Sequence, residues 1–261
     1  MADEKMPFTE HLTELRKRII ISLLALLCVF VVAFNYSEQL LGILMLPLRI
    51  KISFITSYPF MVFTHSDLFK KIHEFQALGV AEPFMVNIKI AFVASLIITL
   101  PIIFYQLWKF IAPGLSVREK KYVVPFVLVS TLLFVAGALF CFFLVLPFAL
   151  DFLLTYKTRF IRPNPTATYY FDFCLKFILA FGAIFELPMI IVFLTRIGIV
   201  TPKMLSKNRK YAVLLAFVVA AVLTPTPDWF NQTLMAAPII VLYETGIIVS
   251  RLFVRKKTGN A

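Results

Sequence analysis

Hydrophobic and polar positions fall into blocks in this chain: apolar runs of 13 to 29 residues alternate with short segments that hold most of its lysines and arginines. Crossing roughly 30 Å of hydrocarbon takes about 20 apolar residues in a helix. The runs predict six transmembrane helices. They are Ile19–Phe34 (with Leu40–Leu48 as a continuation at the far interface), Phe84–Trp108, Tyr122–Leu150, Phe173–Leu194, Tyr211–Leu223 and Thr233–Val249. Six crossings bring both termini to one side. The third run is 29 residues long, about 43 Å as a helix, so it must tilt or project. The fifth has 13 residues, about 20 Å, and the sixth is only slightly longer. Two short neighbours require a thinned bilayer or polar groups drawn into it.

The polar segments carry matching start and stop signals. Phe8-Thr9-Glu10 opens a helix ahead of the first span, with Thr9 as its cap and Glu10 and Glu14 favouring its positive end. Thr201-Pro202 is a cap followed by a first-turn proline, and Asp228 caps the last span after the turn at Pro225 and Pro227. Trp108 and Trp229 are expected at the inner and outer interfaces.

Composition agrees: 61% of residues are hydrophobic, 15% are charged and the mean hydropathy is +0.90. This is an all-α integral membrane protein, read as one domain over residues 1–261. Residues 1–18 form an amphipathic start and 251–261 a basic tail. A net charge of +12 would fit a nucleic-acid binder, but 17 basic residues flank the spans on the side of the termini and seven on the other. That is the asymmetry of membrane topology, with both termini cytoplasmic and no nucleic acid implied. Lys89 and Lys176 read as anchors that snorkel outward. Acids in the N-terminal region, and no small-residue cleavage site after Phe34, predict a first span that is retained. Cys28, Cys141 and Cys174 lie in or beside apolar runs, and no motif for metal, phosphate or nucleophilic chemistry is present. The sequence predicts no enzyme, metal or cofactor.

One acid is out of place. In the eighteen residues Phe177–Leu194 the only ionisable side chain is Glu186. A charge near the bilayer centre costs about 3 kcal/mol on insertion scales, so such a residue faces other helices or a polar cavity. Pro188 removes the amide that would bond the Ile184 carbonyl, so a bend is expected there. Glu186 serves either a function or bundle stability alone.

Several motifs now resemble a known family. FTEHLTELRKRI at the start, YQLWKFIAPGLSVREKK after the second span, FGAIFELP in the fourth, and PTPDWFNQTLMAAP through LYETG at the end are similar to the TatC family. TatC is the multispanning subunit of the twin-arginine protein translocase, and the resemblance covers nearly the whole chain in order. It implies a cupped bundle of six helices with the last two short. It also implies a bacterial cytoplasmic (inner) membrane location and export of folded proteins on the proton-motive force. The implied partners are twin-arginine signal peptides, small single-span TatA/TatB-type subunits, further copies of the chain and the lipid bilayer.

Two guanidiniums are best held by carboxylates. Beyond the N-terminal tail, the basic side offers only Glu10, Glu14 and Glu119. The resemblance assigns signal binding to Glu14 and Glu119, with Phe110 in the same loop and His11, Arg16 and Arg18 beside Glu14. It assigns partner contacts within the membrane to Gln106 and Glu186, and family positions at the outer turns to Pro47, Asp228 and Gln232. Plainer roles stay open: Glu14 as an i,i+4 partner of Arg18, Glu119 paired locally with Arg118 or Lys120, Pro47 as a helix breaker and Asp228 as a cap. Glu244 is free to face Glu186 or the interface. A competing function is a proton-coupled secondary transporter using Glu186, to which Pro101 and Pro188 would lend broken helices. A membrane scaffold without transport is a third.

Overall fold

A computed structural model describes residues 8–54, 61–65, 75–111, 123–155, 165–224 and 228–258. The first span and its basic head are one helix, α1 (Phe8–Asn35), which begins one residue ahead of the expected cap Thr9. A short α2 (Ser37–Leu44) and a 3₁₀ turn at Leu46–Arg49 follow. Next comes an antiparallel ribbon of β1 (Ile50–Phe54) and β2 (Met61–His65), with Ile50 opposite His65. This ribbon, and a single parallel bridge between Gln76 and Thr166, depart from an all-helical chain. The second span is α3 (Glu82–Ile111), and the third is α4 (Val123–Phe140) joined to α5 (Leu146–Thr155) by a π-helical turn at Cys141–Val145. The fourth is α6 (Ala167–Phe185) followed by α7 (Leu187–Arg196). A short α8 (Pro202–Lys207), capped by Thr201 as expected, leads to α9 (Arg209–Leu223) and α10 (Trp229–Thr258).

The start of α1 and the ends of α3 and α7 share one face. Arg18 bonds Gln106, and Trp108 packs 4.8 Å from Phe126 and 4.7 Å from Phe193. The start of α9 is tied to the middle of α10 by the Arg209–Glu244 pair. On the opposite face the Tyr170 hydroxyl donates to the Leu44 carbonyl at 2.7 Å, and Glu82 accepts from the Thr168 amide at 2.9 Å. The core is centred on α6, where Phe171, Cys174 and Phe181 are buried. Its helices approach closely at small residues: a Cβ on Gly137 would lie 2.6 Å from the Phe181 carbonyl oxygen, and one on Gly182 would lie 2.4 Å from the Phe134 ring. Without a hydrophobic drive between helices in lipid, such close backbone contact supplies the packing.

Three expectations change. Trp108 is buried in an aromatic cluster, so only the exposed Trp229 is placed to anchor at an interface. Lys89 does not merely snorkel, because its Nζ lies 2.7 Å from Asp172 on α6. The last helix is not short: α10 has 30 residues, and its candidate span Asn231–Leu252 has 22. The polar side chains of Glu244 and Arg251 pair with Arg209 and Ser206, which lets the helix continue past the apolar run. Among the described residues five helices are long and apolar enough to cross a membrane. Only α9, at 15 residues or about 22 Å, falls short of ordinary hydrocarbon thickness.

Bilayer thinning is therefore expected beside α9 alone. A spin label at the exposed Val222, near the end of α9, should be open to a polar relaxing agent, whereas one at Val241 on α10 should be shielded. A lipid-like profile at both positions would remove the thinning argument.

Candidate functional site

Four of the residues expected to bind a signal meet where the start of α1 crosses the end of α3. Spacing of three and four along α1 puts His11, Glu14 and Arg18 on one face. The His11 ring stacks on Phe110 with centroids 4.3 Å apart and planes at 17°. Arg18 bridges the two helices: Nη2 donates to Glu14 Oε1 at 2.9 Å and Nη1 to Gln106 Oε1 at 3.1 Å. The Arg18 and Glu14 side chains are 15% and 20% exposed, so the pair is sheltered from water on a face that is otherwise basic. Arg16 is exposed and turned away from this cluster. Glu119 lies outside the described residues.

Below the cluster runs an apolar groove of about 310 Å³, walled by Leu15, Ile19 and Leu23 of α1 and Leu96, Ile103 and Leu107 of α3. Arg18, Gln106 and Phe110 close its polar end. The arrangement offers one carboxylate, one aromatic stack and an adjoining apolar channel. It can hold a cation that is followed along its chain by hydrophobic residues.

Gln106 and Glu186 are not neighbours. Gln106 belongs to the basic-face cluster, which its place one turn before Phe110 allowed but did not announce. Glu186 sits at the break between α6 and α7, where φ −73° and ψ −15° end the first helix and Pro188 opens the second. The expected bend is thus a single-residue turn, after which the Ile190 amide bonds the Glu186 carbonyl at 2.9 Å and the helix resumes. Glu186 is buried, the Ser130 hydroxyl of α4 lies within hydrogen-bonding range of its carboxyl, and Oε1 has no partner among the described residues. Across the break, α10 packs so tightly that a Cβ on Gly246 would meet Pro188 Cα at 3.2 Å. Glu244 faces the basic side, 2.7 Å from the Arg209 Nε.

The outer positions are structural in geometry. Asp228 accepts from the Asn231 amide at 2.7 Å and from its side chain at 3.0 Å, which caps α10. Gln232 donates to the Phe217 carbonyl at 3.3 Å and ties α10 to α9. Pro47 is buried in the 3₁₀ turn after α2. The Lys89–Asp172 pair was missed by the sequence reading. Its only signal was a base inside the second predicted span and an acid one residue ahead of the fourth.

A family model described as Sec-independent protein translocase protein (TatC) matches residues 10–238. A relative of the same description from Desulforapulum autotrophicum is 39% identical over 99% of this chain and 89% of its own length. One from Aquifex aeolicus is 39% identical over 97% and 98%. A solved structure titled as the twin-arginine translocase receptor TatC in DDM is 38% identical, covers 92% of this chain and 99% of its own, and superposes with a TM-score of 0.75.

Proposed function

Because the chain belongs to the TatC family of Sec-independent protein translocase proteins, we propose that it is the receptor and core of a twin-arginine translocase in a bacterial cytoplasmic membrane. As a multi-pass translocase subunit it is not an enzyme. The observation that carries the receptor reading is the sheltered Glu14 carboxylate beside the His11–Phe110 stack, at the mouth of the groove between α1 and α3. A signal peptide presents arginines followed by an apolar stretch. Glu14 takes a guanidinium, Phe110 offers a ring face to a cation, and the groove covers the apolar residues that follow. Glu119, in the loop after α3, supplies a second carboxylate. Arg16 and the other exposed cations of this face hold both termini in the cytoplasm. Gln106 orients Arg18, and Glu186 docks a polar side chain of a small TatA/TatB-type subunit from within the membrane. The proton-motive force drives export.

The test is binding of a labelled twin-arginine peptide to the protein in nanodiscs. Glu14→Gln and Glu119→Gln keep size but remove the charge, and each is expected to weaken binding by about 1–3 kcal/mol, on the order of 5- to 150-fold. Parent-like affinity in Glu119→Gln would refute its carboxylate role, and parent-like affinity in both would refute the receptor site.

A further inference from the structure

The carboxylate assigned to an incoming arginine already holds an arginine of its own chain. Arg18 Nη2 and Glu14 Oε1 are 2.9 Å apart, and Gln106 anchors the other terminal nitrogen at 3.1 Å. The third donor of the same guanidinium, Nε, is buried with no partner among the described residues. Its position is set by the two anchors and not by full satisfaction of its own hydrogen bonds.

We propose that Arg18 is a resident competitor that makes the Glu14 site select paired over single arginines. The proposal rests on reading Glu14 as a signal-binding carboxylate. A ligand with one guanidinium breaks one arginine–carboxylate pair to form another of the same kind. It also pays the association entropy that Arg18, fixed four residues away on the same helix, does not pay. One-for-one exchange therefore yields no net binding. A lysine does worse, because a point charge lacks the planar fork that matches a carboxylate. A second guanidinium changes the balance, since it gains a contact for which nothing has to be displaced. The face of the Phe110 ring that is not stacked on His11, which lines the same mouth, is one such surface. Displaced from Glu14, Arg18 keeps its bond to Gln106 and frees Nε to reach water, which lowers the cost of yielding. Gln106 is thus a positioning residue: it holds Arg18 within reach of Glu14 whenever the site is empty.

The experiment uses the full chain in nanodiscs and two synthetic signal peptides, one with adjacent arginines and one with the second arginine replaced by glutamine. The parent is expected to prefer the paired peptide strongly. Arg18→Gln should tighten the single-arginine peptide tenfold or more, with a smaller change for the paired one, so that the ratio of affinities collapses. Gln106→Leu leaves α1 unaltered and should move the ratio in the same direction by less. An Arg18→Gln protein of parent-like helicity and melting temperature that binds the single-arginine peptide no better than the parent does overturns the proposal. So does a Gln106→Leu ratio equal to or above that of the parent. If the parent fails to bind the paired peptide, or Glu14→Gln binds it undiminished, the receptor reading itself falls and this inference with it. That result is distinct from an unchanged ratio.

Discussion

Glu186→Ala is expected to abolish both export and co-purification of the small single-span subunits, while Glu186→Gln retains partner binding and much of the transport. The carboxyl sits at the turn between α6 and α7, buried among apolar residues, with Ser130 on one side and Oε1 unpaired among the described residues. An unpartnered polar atom at that depth is costly to keep. A side chain arriving on a partner's helix satisfies it. The amide of glutamine both donates and accepts, so it preserves such docking, whereas alanine leaves nothing to dock against. Folding is spared in either case because α6 already ends at this point and the one described contact of the carboxyl, with the Ser130 hydroxyl of α4, is a single hydrogen bond beside extensive apolar packing. Proton carriage predicts the opposite pattern, since an amide cannot titrate: Gln would be as inactive as Ala. An export assay on membrane vesicles, with pull-down of the partner alongside, separates docking from relay.

The second large effect is on the fold. Gly137→Ala should destabilise the bundle by about 1–3 kcal/mol, and Gly137→Leu should prevent its assembly. The new Cβ would meet the Phe181 carbonyl oxygen at 2.6 Å and the Phe185 side chain at 2.7 Å. The first of these is backbone inside α6 and cannot turn away, so the two helices must separate and forfeit their contact. Gly42 in α2 is the matched control. Nothing lies within 4 Å of its added Cβ, so Gly42→Ala should be neutral or stabilising by up to about 1 kcal/mol. Thermal unfolding in detergent followed by circular dichroism reads both. Equal melting temperatures for the two alanine variants would contradict the role given to the α4–α6 contact.

The sequence by itself determined the membrane class and the order and approximate limits of the apolar helices. These depend on composition and on charge counted along the chain, which the bilayer converts directly into position. It also located the interruption at Glu186-Leu187-Pro188 and the cap at Thr201, because a missing amide and a capping oxygen act within a turn of themselves. Tertiary structure decided what depended on neighbours distant in sequence. Nothing local to Gln106 tells that the crossing of α1 over α3 sets it against Arg18, 88 residues away. Lys89 looked like a free anchor until Asp172 arrived beside it from α6. Trp108 looked interfacial, but the start of α4 and the end of α7 enclose it. The length of α10 followed from Arg209 and Ser206, which give Glu244 within the apolar run and Arg251 beyond it their partners. In each case the side chain had more than one place to satisfy its charge, polarity or apolar surface. Hydropathy along one helix cannot rank those places, because the choice rests on which helix packs alongside.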